Sequence, residues 1–282
     1  TMPDIDQQSL AGCLGTATHG TGAGFGCIPS YVEGLQLVTA NGDVLECNAD
    51  KNPEVFEAAK VSLGALGVIT QVTLQNVAPY RLKRETVWRE FDELVATADT
   101  LADRSRNFEF YYIPCTGMGW TDVHNLADEA LGSPDKYDSN DGAVELKIAR
   151  DMLSWSPKLR ELLLSTYMKT VDDEVTIDSS WKNYTSERNV RFNEMEYTVP
   201  AEDGLACFRE VLDTIKEKDI DVIFPIEYRY VGEDDIWLSQ FYQRAGASIS
   251  VHNFHDKPYE DYFAQMEAIF DRYQGRPHWG KI

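Results

Sequence analysis

Val222-Ile-Phe224-Pro225-Ile226-Glu227-Tyr228-Arg229-Tyr230 is the stretch on which the fold turns. Successive residues of a strand point to opposite faces. Val222, Phe224, Ile226, Tyr228 and Tyr230 therefore share an apolar face, and Glu227 and Arg229 project together from the other. A carboxylate and a guanidinium so placed can hold a hydroxyl-bearing ligand, one accepting and the other donating. The same spacing suits a solvated ion pair worth about 0–1 kcal/mol, and spacing alone favours that plainer reading. In both cases the segment predicts a strand over 222–231 with one face against a core.

Around it, further strands are expected at 81–88, 107–113, 190–199 and 247–254, with helices over roughly 91–104, 145–168, 201–217 and 258–274. The last helix is the clearest, because Tyr259, Tyr262, Phe263, Met266, Ile269, Phe270 and Tyr273 form one stripe at helical spacing. In 247–254, Ser248, Ser250 and His252 share a face that suits a polar pocket wall, whereas Phe110, Tyr111 and Tyr112 read as sheet core. Residues 128–142 read as an acidic exposed loop. Towards the N-terminus, Asn41-Gly42 between apolar runs marks a hairpin joining strands 32–39 and 44–48. Pro53 opens a helix that Gly64 and Gly67 end, and a strand follows over 68–77. The sum is an α+β protein of two domains, residues 1–79 and 80–282.

Composition narrows the function. With 47 acidic and 26 basic side chains the chain carries a formal charge of −21. Such a surface repels phosphate backbones, and the densest basic stretch, Arg81 to Arg84, is too short to reverse that, so no nucleic-acid partner is expected. No apolar run approaches the roughly 20 residues of a membrane span. The five cysteines, Cys13, Cys27, Cys47, Cys115 and Cys207, are odd in number and irregularly spaced. That argues against disulfides and zinc and favours a reducing compartment, the cytoplasm by default. His252 and His255, three apart on a strand, fall on opposite faces, so no metal site is expected. A Gly-x-Ser-x-Gly hydrolase elbow is absent.

Two more segments can carry chemistry. Ser9-Leu-Ala-Gly12-Cys13-Leu-Gly15-Thr16-Ala-Thr18-His19-Gly20-Thr21-Gly22-Ala-Gly24 offers backbone N–H groups and hydroxyls that could cradle a pyrophosphate. Residues 9–30 read as a loop system without a helix. The dinucleotide fingerprint is missing, since Gly24 runs into Phe25, Cys27, Ile28 and Pro29 and not into a helix. A purely structural glycine-rich loop is the equal alternative. Arg276-Pro-His278-Trp-Gly-Lys281 offers an aromatic wall and a cation, or else a surface loop with a packed Trp.

Taken together these segments resemble the aldonolactone oxidase and alditol oxidase branch of the vanillyl-alcohol-oxidase-like flavoproteins. The resemblance rests on Asp4-Ile-Asp-Gln-Gln-Ser9-Leu-Ala-Gly12, Thr16-Ala-Thr18-His19-Gly20-Thr21-Gly22 and Ser62-Leu-Gly64-Ala-Leu-Gly67-Val68-Ile69-Thr70. It continues in Phe224-Pro-Ile-Glu227-Tyr-Arg229, Asp234-Asp-Ile-Trp-Leu-Ser239 and Gly275-Arg-Pro-His278-Trp-Gly-Lys281. It implies the C-terminal part of a PCMH-type FAD-binding domain over 1–79 and a cap domain with a large antiparallel sheet over 80–282. Ser9, Gly12, Cys13, Gly15, Thr16, His19 and Gly20 would contact the flavin and its pyrophosphate, and Ile69 the adenine through its backbone. Glu227 and Arg229 would bind and orient the substrate hydroxyl, Lys281 would lie beside flavin and substrate, and His252 would be a further substrate-facing residue.

The implied reaction is hydride transfer from a sugar lactone to flavin N5, with O₂ or another acceptor reoxidising the flavin. The Phe-Pro-Ile-Glu-x-Arg motif lies nearer the gulonolactone and arabinonolactone members than the alditol oxidases, the second possibility. The family's N-terminal glycine-rich loop and its covalent flavin attachment residue have no counterpart here. The chain is therefore expected to be a fragment whose attachment site lies outside it. A third possibility, of another class, is a sugar-binding cap piece without catalysis.

Overall fold

The computed structural model describes residues 2–128 and 141–282. Two sheets organise them. The smaller has three antiparallel strands in the order β2-β1-β3, with β1 at Val32–Val38, β2 at Val44–Asn48 and β3 at Val68–Leu74. The hairpin turns at Asn41-Gly42, where Gly42 N–H donates to the Thr39 carbonyl at 3.0 Å. Helix α2 (Pro53–Lys60) packs Phe56 and Ala59 onto this sheet.

The larger sheet has eight antiparallel strands: β4 (Arg81–Glu90), β5 (Asn107–Ile113), β6 (Met118–Leu126), β7 (Glu174–Ser179), β8 (Phe192–Pro200), β9 (Ile226–Val231), β10 (Gly246–Phe254) and β11 (Arg276–Pro277). Their order is β11-β8-β10-β9-β5-β6-β4-β7. Helices α3 (Phe91–Arg104), α7 (Gly204–Glu217) and α8 (Glu260–Arg272) cover one face. There Phe110, Tyr228, Phe208, Ile249, Val199 and Phe270 are buried in a single cluster. Phe110 stacks on Tyr228 with ring centres 4.6 Å apart. Each such side chain contributes about 1.5–3 kcal/mol by leaving water, so this side dictates the register.

The expected large antiparallel sheet flanked by helices is present, and several local expectations are corrected. Helix α1 (Leu10–Gly15) stands where a loop was predicted. Ser9, in an extended conformation, accepts from Gly12 N–H at 3.2 Å, capping the helix and outweighing its glycine content. The single helix expected over 145–168 is two, α4 (Asp141–Met152) and α5 (Pro157–Met168). Pro157 cannot continue a helix but is accommodated in the first turn of a new one. The strand expected from 222 begins at Ile226, because Pro225 has no N–H to enter the ladder. Strands β6 and β7 had no prediction, and short α6 (Ser180–Tyr184) likewise. The acidic loop expected at 128–142 lies largely outside the described residues, and its last two positions open α4.

All five cysteines are free thiols, and no described helix is long and apolar enough to cross a membrane. Gly119 lies where β6 crosses β5 so closely that an added Cβ would run into the Tyr111 carbonyl oxygen. Gly119→Ala is therefore expected to cost about 1–3 kcal/mol of stability through overpacking, read from urea unfolding midpoints. An unshifted midpoint would contradict this packing.

Candidate active site

The opposite face of the large sheet is polar, and strand register assembles it. Glu227 on β9 pairs with Tyr111 on β5 and Ser250 on β10, and Ser250 pairs with Glu196 on β8. In the adjacent row Arg229 pairs with Glu109 and Ser248. His252 pairs with Glu194 beyond. The period of two that sends Tyr228, Ile249 and Tyr197 into the core thus sends these groups to the other side.

Glu109, Tyr111, Glu194, Glu227 and His252 of this face line a cavity of about 770 Å³. Its polar end holds Asp4, Glu109, Tyr111, Glu194, Glu227, His252 and Lys281, and its far wall is apolar, with Trp120, Leu146 and Met168 among the lining residues. Glu227 and Arg229 are only 3% and 5% exposed, which overturns the solvated surface pair that spacing favoured. A buried guanidinium demands compensation, and three carboxylates supply it: Glu227 in direct contact, Glu109 at 3.3 Å and Asp4 at 3.5 Å. Tyr111 donates to Glu227 Oε1 at 2.5 Å and stacks on Trp120. Phe110 and Tyr112 are core as expected, so Tyr111 alone of the three departs from that reading.

Lys281 contacts Glu194 Oε2 at 2.5 Å, with Glu196 Oε2 at 3.9 Å. Burial disfavours the charge on Glu194, but Lys281 and His252 outweigh it and hold the carboxyl below its ordinary range. Glu194 in turn, with Glu196, raises Lys281 against the effect of burial. The Trp279 indole N–H donates to the Leu238 carbonyl at 2.6 Å, pinning the segment that carries Lys281.

The glycine-rich segment divides into two parts. Gly22 is buttressing: its φ of +122° and its closeness to the Arg106 carbonyl exclude any side chain, and its N–H donates to the Tyr230 carbonyl at 2.7 Å at the end of β9. His19 and Gly20 are buried, and Cys13 is buried on α1. His19 presents Nδ1 to the Gly20 carbonyl at 2.8 Å and Nε2 to Glu196 at 2.6 Å. Both partners can accept, and the Glu196 carboxylate also accepts from Ser248 and Ser250 at 2.5 and 3.0 Å. By contrast Ser9, Gly12, Gly15 and Thr16 stay accessible, and an added Cβ at Gly15 would meet nothing within 4 Å. This open edge adjoins the lysine segment, since a Cβ on Gly280 would approach Thr16 Oγ1 to 3.3 Å. Ile69 packs its side chain on the small-sheet core that also holds Leu14 of α1.

Thus Glu227, Arg229, His252 and Lys281 meet in one polar end. From the sequence, Asp4, Glu109, Tyr111, Arg188, Glu194 and Glu196 had no site role, Tyr111 being read as core. For Glu194 and Glu196 a signal existed: they alternate with Met195 and Tyr197 along the strand.

Burial pushes the Glu109 carboxyl up to about 8, with Arg229 opposing and Glu227 adding to the rise. Between its ordinary 4.5 and 8 the folded protein keeps a proton that the unfolded chain has released, so this group makes stability fall as pH rises. His124 and His278, both pushed down to about 4 by burial, act in the opposite sense but only below 6.5. From about pH 6.5 to 8 the unfolding free energy is therefore expected to decline. Glu109→Gln should flatten that decline in urea titrations, and an equally steep variant would contradict the assignment.

The sequence model of the D-arabinono-1,4-lactone oxidase family matches residues 72–282. The L-gulono-1,4-lactone dehydrogenase of Mycobacterium tuberculosis is 34% identical over 286 residues, covering 99% of this chain and 65% of that protein. The L-gulonolactone oxidase of Scyliorhinus torazame is 26% identical, covering 98% and 65%. This chain thus spans about 65% of the length of these curated relatives. Among solved structures a solvent-stable cholesterol oxidase superposes with a TM-score of 0.76 at 18% identity, covering 99% of this chain and 66% of that one, a likeness of fold alone. Since the family match extends over well more than half of the sequence, the chain belongs to the D-arabinono-1,4-lactone oxidase family.

Proposed function

We propose that the protein of which this chain forms part is an FAD-dependent oxidoreductase that oxidises a sugar-derived aldono-1,4-lactone. The observation that carries the reading is the buried Glu227–Arg229 pair, whose Glu227 lines one cavity with His252 and Lys281. Family membership and the names of the lactone-oxidising relatives support the substrate class.

The residues present fit the flavin along one side. The edge from Ser9 through Gly12 and Gly15 to Thr16 is exposed or half-buried, and the space beside Gly15 is open. It lies against the segment carrying Lys281, where an anionic ring would find a cation. In this reading Ile69 contributes backbone contact to the adenine, while Cys13, His19 and Gly20, being buried, hold the edge in shape. Residues 1–79 would be the cofactor side and 80–282 the substrate cap. FAD, when bound, accepts the hydride and passes the electrons to O₂ or another acceptor.

The chain's own groups then have distinct tasks. Glu227 Oε1 is taken by Tyr111 and Arg229, which leaves Oε2 to accept from a substrate hydroxyl. Burial raises the Glu227 carboxyl above its ordinary value, with Arg229 opposing. The group is thereby brought towards the pH at which it can take up the hydroxyl proton as the carbon is oxidised. Arg229, buried and permanently charged, orients the same hydroxyl and favours an electron-rich ring nearby. Lys281 and His252 reach the remaining oxygens of a polyhydroxylated ring. Fixing the donor carbon before it reacts is where such a pocket lowers the barrier most.

An alditol oxidase is the second reading, since the same pair can hold an open-chain polyol. Steady-state turnover of the complete flavoprotein on L-gulono- and D-arabinono-1,4-lactone against xylitol separates the two, and the lactones are expected to be the better substrates. Glu227→Gln is expected to lower kcat by about 10²–10⁴-fold while flavin absorbance is retained. Near-normal turnover in that variant would remove Glu227 from the chemistry. A chain that binds lactones but never turns them over would instead be a sugar-binding cap.

A further inference from the structure

The cavity is larger than the ligand that the proposed function puts in it. Its volume is about 770 Å³. Pockets of roughly 300–1,000 Å³ enclose drug-sized molecules, whereas an aldono-1,4-lactone has only about a dozen non-hydrogen atoms. The surplus space has a definite chemistry, and strand register shows where it begins.

Glu227 pairs with Tyr111 across β9 and β5, Tyr111 with Trp120 across β5 and β6, and Trp120 with Trp88 across β6 and β4. One row of the sheet thus runs from the buried carboxylate into three aromatic rings. Tyr111 and Trp120 stack at 4.7 Å with their planes 13° apart, and Trp88 lies 5.1 Å from Trp120. With strands about 4.8 Å apart, the row covers about 10 Å from Tyr111 to Trp88. All three residues line the cavity and are half-buried, whereas Phe110, Phe208 and Tyr228 behind the sheet are sealed in the core. The row is a shelf facing open space.

Helices α4 and α5 supply the other wall. Leu146 and Ala149 of α4, with Leu153 just beyond it, recur at helical spacing and line the cavity, as do Leu164 and Met168 of α5. None of these five offers a strong hydrogen-bonding group, so hydroxyls placed among them would go unpaired, a cost that a hydrocarbon escapes. We propose that this compartment takes an apolar substituent of the substrate, an acyl chain or aryl group long enough to reach from Tyr111 towards Trp88, while the hydroxyl to be oxidised sits at Glu227. The preferred substrate is then an amphiphile, with a polyhydroxylated head at the polar end and a hydrocarbon body between the shelf and the two helices. That the head is a lactone rests on the proposed function; the apolar compartment does not.

The test compares L-gulono-1,4-lactone with its 6-O-octanoyl ester, whose chain leaves at the carbon farthest from the lactone carbonyl. In calorimetric titration of the chain, below the concentration at which the ester forms micelles, the ester should bind at least about tenfold more tightly, the gain from burying about two methylene groups. Ala149→Phe fills the compartment and should remove most of that preference. Leu153→Ala enlarges it and should favour the decanoyl over the octanoyl ester, a gain that misfolding cannot mimic. Equal affinity for lactone and ester, or a preference for the ester that Ala149→Phe leaves undiminished, overturns the proposal. With the complete flavoprotein, the ester should show a KM at least about tenfold below that of the free lactone. Turnover of the free lactone with a higher KM for the ester would overturn the compartment as a substrate site and leave the oxidase reading intact. Ester binding that Ala149→Phe abolishes, without turnover of either compound, would support the compartment and count against oxidation at Glu227.

Discussion

A guanidinium shut away from water is the constraint around which the polar face of the large sheet is built. Arg229 cannot lose its proton, so its charge must be met where it stands. Glu227, Glu109 and Asp4 meet it from the same strand, from the neighbouring strand and from the N-terminal segment. Burial raises the carboxyls of Glu109 and Glu227 against the pull of Arg229, and neighbouring carboxylates add to the rise. Glu194 and Glu196, close by but matched by Lys281 and His19, go the other way. Carboxyls on one sheet face are thus driven apart in proton affinity by their partners. Such a separation is what acid–base chemistry on neighbouring carboxyls requires.

Packing on the other face makes this possible. Tyr228, between Glu227 and Arg229, stacks on Phe110 and lies against Phe208, and no slip of register can satisfy both sides. The apolar core therefore fixes the positions of charges it never touches. The same logic joins the two sheets of the chain. Gly22 docks on the end of β9 and His19 on Glu196, so the accessible edge of the glycine-rich segment is held in place relative to the cavity.

Much of this could be read from residue order. The alternation in 224–230 places Glu227 and Arg229 opposite a core, and the stripe from Tyr259 to Tyr273 gives α8 correctly. What could not be read has definite causes. Strand β6 turns Asp122 and His124 to the cavity and carries Gly119 and Asn125 on its other face, so its composition resembles a loop. Helix α1 depends on a single serine cap that outweighs two glycines. Whether an ion pair on a strand is wet or buried is settled by what lies over it, which no spacing within the strand can encode. Asp4, Tyr111 and Arg188 belong to the site only because distant segments converge there.

That convergence bears on how the molecule comes into being. Asp4 and Lys281 line the same cavity, although nearly the whole sequence separates them. Loop closure on that scale carries a high entropic cost and contributes nothing until strands from both ends are already paired. The hairpins β1–β2 and β5–β6 can form from neighbouring residues, whereas the polar end of the cavity forms only after the chain has closed on itself. During synthesis the core face of the sheet can therefore consolidate first, and the charged pocket is among the last features to become ordered.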